Sequence, residues 1–296
     1  MILRAALLFT VLLLSAPLAH AQLGGVSVPT VPDVGGGVPG VGNVTGGLPD
    51  AGRTLSQVES QVNELTRARS EQADQLLRRH RRELEADPAG EPIVRSQVIA
   101  VAPSAEALER ARAAGFTIVR SDEVEGVGAL VVLRAPERMS TRRALRRLRE
   151  ADPTGVYDFD HIHLESGVAP AVIASGQVSA GRGPRIGLID GGVGQNAAVV
   201  EQRAFSSERP VAGQHGAAVA HLLLQAAPGA RLYVADIYGG APTGGSSAAL
   251  ARALGWLASE NVPVVNISLV GPHNRVIETV VSRISTRGVL IVAAVG

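Results

Sequence analysis

The sequence predicts an α/β protein: a parallel sheet with helices on both faces, preceded by a smaller α+β unit and an N-terminal helix. Three observations carry this expectation. The C-terminal half alternates short, wholly apolar runs with helical patterns, as parallel strands buried on both faces do. Those runs stop abruptly at polar or glycine residues, as in Ile186-Gly187-Leu188-Ile189-Asp190-Gly191-Gly192 and Val264-Val265-Asn266-Ile267-Ser268. The stretch before them runs in another order, β-α-β-β-α-β, which is that of a ferredoxin-like plait.

Composition bounds the rest. A length of 296 residues suits about two domains, and 46% hydrophobic residues can fill their cores. The net charge of +1 gives no sign of a nucleic-acid or polyanion partner. Every basic side chain outside histidine is arginine. The absence of cysteine excludes disulfides, a thiol nucleophile and thiolate zinc ligands.

Residues 1–21 have the form of a secretory signal peptide: Arg4, an apolar run from Ala5 to Leu14, and Ala19-His20-Ala21 as the exit. The expected location is therefore secreted or periplasmic, with no membrane attachment after cleavage. Residues 22–52 are a Gly/Val/Pro-rich linker. Residues 53–91 hold a helical pattern, Thr54–Ala86, with Leu55, Val58, Val62 and Leu65 on one stripe. Arg78-Arg79-His80-Arg81-Arg82 lies on it among nearly balancing acids, which favours a solvated face over a phosphate site.

Residues 92–165 form the α+β unit. Strands are expected at Val98–Ala102, Phe116–Arg120, Val127–Arg134 and Val156–Ile162, and helices at Ala105–Ala114 and Thr141–Ala151. Ser104 and Ser140 stand at their N-caps. The second helix crowds Arg142, Arg143, Arg146, Arg147 and Arg149. They form either a solvated face or a patch that docks on an acidic surface of the C-terminal half. His161 and His163 alternate toward one face, with no third metal ligand near in sequence. Residues 166–183 are a Gly/Ala/Ser linker.

Residues 184–296 carry the parallel sheet. Strands are expected near Ile186–Asp190, Leu232–Ala235, Val262–Leu269 and Val289–Val295, with helices at Gly216–Gln225, Ser246–Ser259 and Arg275–Thr286. Chemistry in such sheets sits beyond the carboxyl ends of the strands. Asp190 falls there, as do Asn266-Ile267-Ser268, while His215 opens a helix of small residues.

Ile-Gly-Leu-Ile-Asp-Gly-Gly-Val at 186–193, His-Gly-Ala-Ala-Val-Ala at 215–220, Val-Val-Asn-Ile-Ser-Leu-Val-Gly-Pro at 264–272 and Val-Leu-Ile-Val-Ala-Ala-Val-Gly at 289–296 resemble, in order, the landmarks of subtilisin-like serine proteases. The resemblance implies the fold of that family, an α/β parallel sheet that is incomplete within these residues. It also implies a serine-type endopeptidase using a Ser-His-Asp triad, with His215 as general base and Asp190 orienting it. Ser268, Leu269, Val270 and Gly271 match the segment against which the family lays an extended substrate. Two positions depart from the family: Gly191 replaces a small hydroxyl residue, and Ala217 replaces a threonine. The sequence ends before the family's oxyanion Asn and its Gly-Thr-Ser nucleophile, so the chain as given is expected to be inactive. The plait at 92–165 is similar in topology to the prodomain of secreted relatives, an intramolecular chaperone and inhibitor, which makes the protein a zymogen. A maturation cut is then expected between Gly167 and Gly183. The implied partners are a polypeptide substrate and the protein's own prodomain. No nucleic acid, no metal site and no cofactor other than an open question of calcium are expected, and the protein is expected to be a monomer. A non-catalytic relative that binds extended peptides in the same groove is the alternative. A nucleotide-binding turn at Ile189–Gly194 lacks G-x-G-x-x-G and a later acidic partner.

Overall fold

The computed structural model describes residues 51–167, 181–196 and 198–294. The expected signal peptide, nearly all of the Gly/Val/Pro-rich linker, and 168–180 within the second linker lie outside the described residues. No described helix is long and apolar enough to cross a membrane.

The first helix, α1 (Ala51–Arg79), stops seven residues short of the expected Ala86. A turn after His80 leads into a short strand, β1 (Leu84–Ala86). The cause is tertiary. Leu84 is fully buried and pairs antiparallel with Val94, and it clusters with Ala73, Val94, Ile162 and Leu164. Continuing the helix would strand that leucine in solvent.

An antiparallel sheet follows. β2 (Pro92–Val101), β3 (Thr117–Val124), β4 (Gly128–Arg134) and β5 (Val156–His161) are interleaved with α2 (Ala105–Ala113) and α3 (Thr141–Ala151). In space the order is β5-β2-β4-β3, with β1 also on β2. Ser104 and Ser140 cap α2 and α3, accepting from the Ala107 and Arg143 N–H groups. β2 runs six residues further toward the N-terminus than expected, because a bulge near Ser96 (φ 59°) interrupts its apolar alternation at Arg95-Ser96-Gln97.

Both faces of this sheet are covered, which is why its central strands read as unbroken apolar runs. Val98, Ala100, Val131 and Leu133 face α2 and α3 together with Ala111, Leu145 and Leu148. Ile99, Val101, Leu130 and Val132, one residue out of phase, face the C-terminal half.

That half contains β6 (Leu164–Glu165), β7 (Arg185–Asp190), β8 (Val199–Ala204), α4 (Gln214–Ala226), β9 (Arg231–Asp236), α5 (Ser247–Ser259), β10 (Val264–Ile267), β11 (Leu269–Val270), α6 (Arg275–Ser285) and β12 (Leu290–Ala293). Five of these strands make a parallel sheet in the order β12-β10-β7-β9-β8. α4 covers one face, where Ala220 and Leu224 meet Leu188, Leu232 and Val234. α5 and α6 cover the other and also meet the antiparallel sheet. α5 is therefore sandwiched between two sheets and buries eleven of its residues, Ser247–Ala251 and Ala253–Ala258. A helix buried all round needs small apolar residues, and the Ala/Leu/Gly composition supplies them. A Cβ on Gly255 would lie 2.6 Å from Val124.

Two expectations change here. β8 was not anticipated; its sequence Val-Val-Glu-Gln-Arg-Ala is that of a half-exposed edge strand, not a buried one. The arginines of α3 do not dock on the C-terminal half: Arg143, Arg146 and Arg147 are exposed. Arg142 donates to the Asp87 carbonyl and Arg149 to that of Tyr157, both near neighbours in the same unit.

Candidate active site

The site begins where β7 ends. Asp190 is fully buried at the carboxyl edge of the central strand, and one carboxylate oxygen accepts the Gly191 N–H at 2.6 Å. α4 opens opposite, with Gly213 at its N-cap and His215 in its first turn. Gly216 permits the approach: a Cβ there would lie 2.3 Å from the Gly191 carbonyl oxygen. His215 Nδ1 consequently reaches both carboxylate oxygens of Asp190, at 2.8 and 3.0 Å.

The other imidazole nitrogen, Nε2, lies 2.6 Å from the carbonyl oxygen of Ser166. A carbonyl can only accept, as can an ionised carboxylate, so both ring nitrogens must carry protons. Geometry alone thus makes His215 an imidazolium in this state. The hydrogen bond to Asp190, opposed by burial and helped by the Ser166 carbonyl and the charge of Glu165, raises its pKa to about 9.

Ser166 belongs to an extended segment lying between two backbone walls. On one side β6 pairs antiparallel with β11, Glu165 opposite Leu269 and Leu164 opposite Val270. The Ser166 N–H donates to the Ser268 carbonyl at 3.1 Å. On the other side the His163 N–H donates to the Gly245 carbonyl at 2.8 Å. The structure therefore brings Asp190, His215 and the segment Ser268–Gly271 around one strand, His163–Ser166. Ser166, read from sequence as the start of a linker, sits in the groove. Glu165 is half-buried beside His215, and burial raises its carboxyl pKa.

Glu165, Asp190 and His215 offer ligand atoms that all lie within 4.8 Å of one another, a donor set that could hold a cation. Asp190 and both His215 nitrogens are already engaged, so a cation would have to displace the Asp190–His215 hydrogen bonds. The candidate serines are engaged as well. Ser246 Oγ accepts the Ala249 N–H, Ser247 Oγ meets His163 Nε2, and Ser268 Oγ accepts from Asn266 Nδ2. Among the described residues no serine hydroxyl hydrogen-bonds His215.

β5 adds contacts that sequence reasoning missed. The Asp160 carboxylate accepts the Ala248 N–H at the start of α5, and that of Asp158 accepts the Arg275 N–H at the start of α6, both at 2.8 Å. Asn274 completes the second terminus, accepting from the Val276 and Ile277 N–H groups. Burial lifts the Asp160 carboxyl to about 6. Asn274 also donates to His161 Nδ1, which leaves that ring's Nε2–H for Asp87 at 3.3 Å. His161 and His163 thus serve different partners. The only sequence signal was the run Asp158-Phe159-Asp160-His161, with two carboxylates on one strand face.

Comparison with known proteins bears on the fold. No protein-family model matches the sequence, and no curated protein matches it. Among solved structures the chain is similar to fervidolysin from Fervidobacterium pennivorans, a keratinolytic enzyme related to subtilisin. The TM-score is 0.52 at 12% identity, over 72% of this chain and 41% of that one. The epidermin leader peptide processing serine protease of Staphylococcus aureus aligns at 11% identity and a TM-score of 0.45, over 68% of this chain and 61% of the other. The chain thus spans 41% and 61% of the lengths of these two structures. The fold shared with the first of them is that of a subtilisin-related protease.

Proposed function

We propose that residues 184–296 form the N-terminal part of a secreted subtilisin-like serine endopeptidase, and that the antiparallel unit at 92–165 is its prodomain. One observation carries the reading: the carbonyl of an extended strand rests against a histidine held by a buried carboxylate. In peptide hydrolysis by this arrangement, His215 takes the proton of a serine hydroxyl as that oxygen attacks the carbonyl carbon. It then returns the proton to the leaving amine, while Asp190 holds the Nδ1–H throughout. The strand His163–Ser166 lies as a substrate would, so the bond after Ser166 is the one offered for maturation, just ahead of the expected 167–183 interval. While it is seated the histidine is already protonated and cannot act as a base, which makes the protein a zymogen. The substrate is polypeptide; no cofactor, metal or nucleic acid enters the scheme, and the protein acts as a monomer. The signal-peptide reading of residues 1–21 places it outside the cytoplasm.

The second reading, a peptide-binding relative without catalysis, is favoured by the lack of a described serine hydroxyl at His215. A fluorophosphonate probe separates the two. The 296-residue chain should not label. A chain extended through an Asn and a Gly-Thr-Ser in the family's positions should label, and should lose labelling in Asp190→Ala and His215→Ala. Labelling of the extended chain that survives His215→Ala would defeat the protease reading.

A further inference from the structure

The groove ends in a pocket that holds one side chain, that of His163. Its ring is buried and lies flat over Gly271: a Cβ on that glycine would come within 2.1 Å of Nδ1. Nε2 lies 2.9 Å from Ser247 Oγ in the first turn of α5. The backbone is fixed on both sides of the ring, by the Gly245 carbonyl at 2.8 Å and by the Tyr238 hydroxyl, which donates to the His163 carbonyl at 3.2 Å. Gly245 has φ +77°, and a Cβ there would lie 2.4 Å from that same carbonyl. The pocket is thus a flat slot with one polar atom at its far wall. A leucine or phenylalanine would leave Ser247 without its partner. A lysine would bring a charge into a site where burial and the neighbouring His161 and Arg69 already disfavour one.

Resting on the proposed reading of the strand as substrate-like, we infer that this pocket selects histidine. Its polypeptide ligands should carry histidine three residues before the residue whose carbonyl meets His215. Ser247 is the specificity-determining residue, and Gly271 leaves the slot open for the ring. A site built around a hydrogen bond discriminates against analogues that cannot make it, because its own buried polar group is left unpaired. The selection applies to neutral imidazole: no carboxylate bonds to the ring, Arg69 on α1 repels a second positive charge, and burial lowers the His163 pKa to about 3.

The test keeps the full 296-residue chain. Position 163 is varied as His, Gln, Phe, Leu and Lys, each with Ser247 or Ser247→Ala. Amide hydrogen exchange of Leu164–Ser166, Leu269 and Val270 reports seating of the strand, and the β7 and β10 amides report that the fold is intact. At pH 7.5 histidine should protect the strand about tenfold or more over Phe, Leu or Lys, the factor that one net hydrogen bond supplies, and Ser247→Ala should erase the advantage. Below pH 6.5 the ratio of His to Gln should fall by about tenfold per pH unit, since free histidine takes up a proton that the pocket refuses. Taking this ratio cancels the titration of Asp160 and His161, which both chains share. Equal protection by Phe or Leu, with the core amides intact, would overturn the selectivity and leave the groove standing. Absence of protection in the parent chain would remove both the selectivity and the substrate-like strand.

Discussion

At the scale of single residues, the site reduces to where two protons sit. Asp190 and His215 were legible in the sequence because each stands in an unusual local setting: a carboxylate ending an apolar run, and a histidine between glycines opening a helix. Glu165 and Ser166 were not legible, because a half-buried glutamate and a linker serine carry no local signature; only the fold brings them to His215. The charge state has a consequence for stability. His215 has its pKa raised from 6.5 to about 9, so its contribution is fully present below pH 6.5 and is lost as pH rises through 9. The stability difference between the parent and His215→Gln should therefore shrink between pH 7 and pH 10 in urea titrations. A difference that is flat or grows over that range would mean the ring is neutral. His163 works in the opposite sense: its depressed pKa makes its contribution present above pH 6.5 and lost as pH falls toward 3.

At the scale of elements, α5 carries the largest share of the packing, since it is buried against both sheets. Leu254→Ala should cost about 2–5 kcal/mol, as for other buried leucines. Its N-terminus is held by a residue of the antiparallel unit, so Asp160→Ala, which removes an acceptor from the Ala248 N–H, should cost about 1–2 kcal/mol at neutral pH. Asp160 carries a raised pKa, so its own ionisation favours the folded state only below 3.8 and works against it as pH rises through about 6. The net cost of removing it should accordingly be larger at pH 5 than at pH 8, read from urea midpoints; a cost larger at pH 8 would contradict the assignment. Legibility here followed periodicity. The caps of α2 and α3 and the apolar strands β7, β9 and β10 were clear. The sequence concealed β1, whose three residues continue a helical pattern, and β8, whose polar residues suit an edge. It also concealed the two-residue pairing of β6 with β11, which joins positions a hundred residues apart and has no local cause.

At the scale of the whole molecule, the antiparallel and parallel sheets share one core. Ile99, Val124, Leu130 and Val132 touch the same cluster as Leu250, Leu254, Val276 and Val280. The two halves should therefore unfold in one transition, and Leu254→Ala should lower both together. Leu290 and Val292 on β12 remain 59% and 49% exposed, an apolar edge at which this 296-residue chain should self-associate. The arrangement stands or falls on whether a strand of the protein itself sits on the Asp190–His215 pair, and nitrogen-15 NMR of histidine-labelled chain reads that directly. With the strand seated, both ring nitrogens of His215 should be protonated at pH 7.5, and the ring should titrate near 9. Replacing Leu164–Ser166 by glycines should return it toward an ordinary value. A His215 that is neutral at pH 7.5 in the parent chain, or that titrates identically after the glycine replacement, would contradict the seated strand.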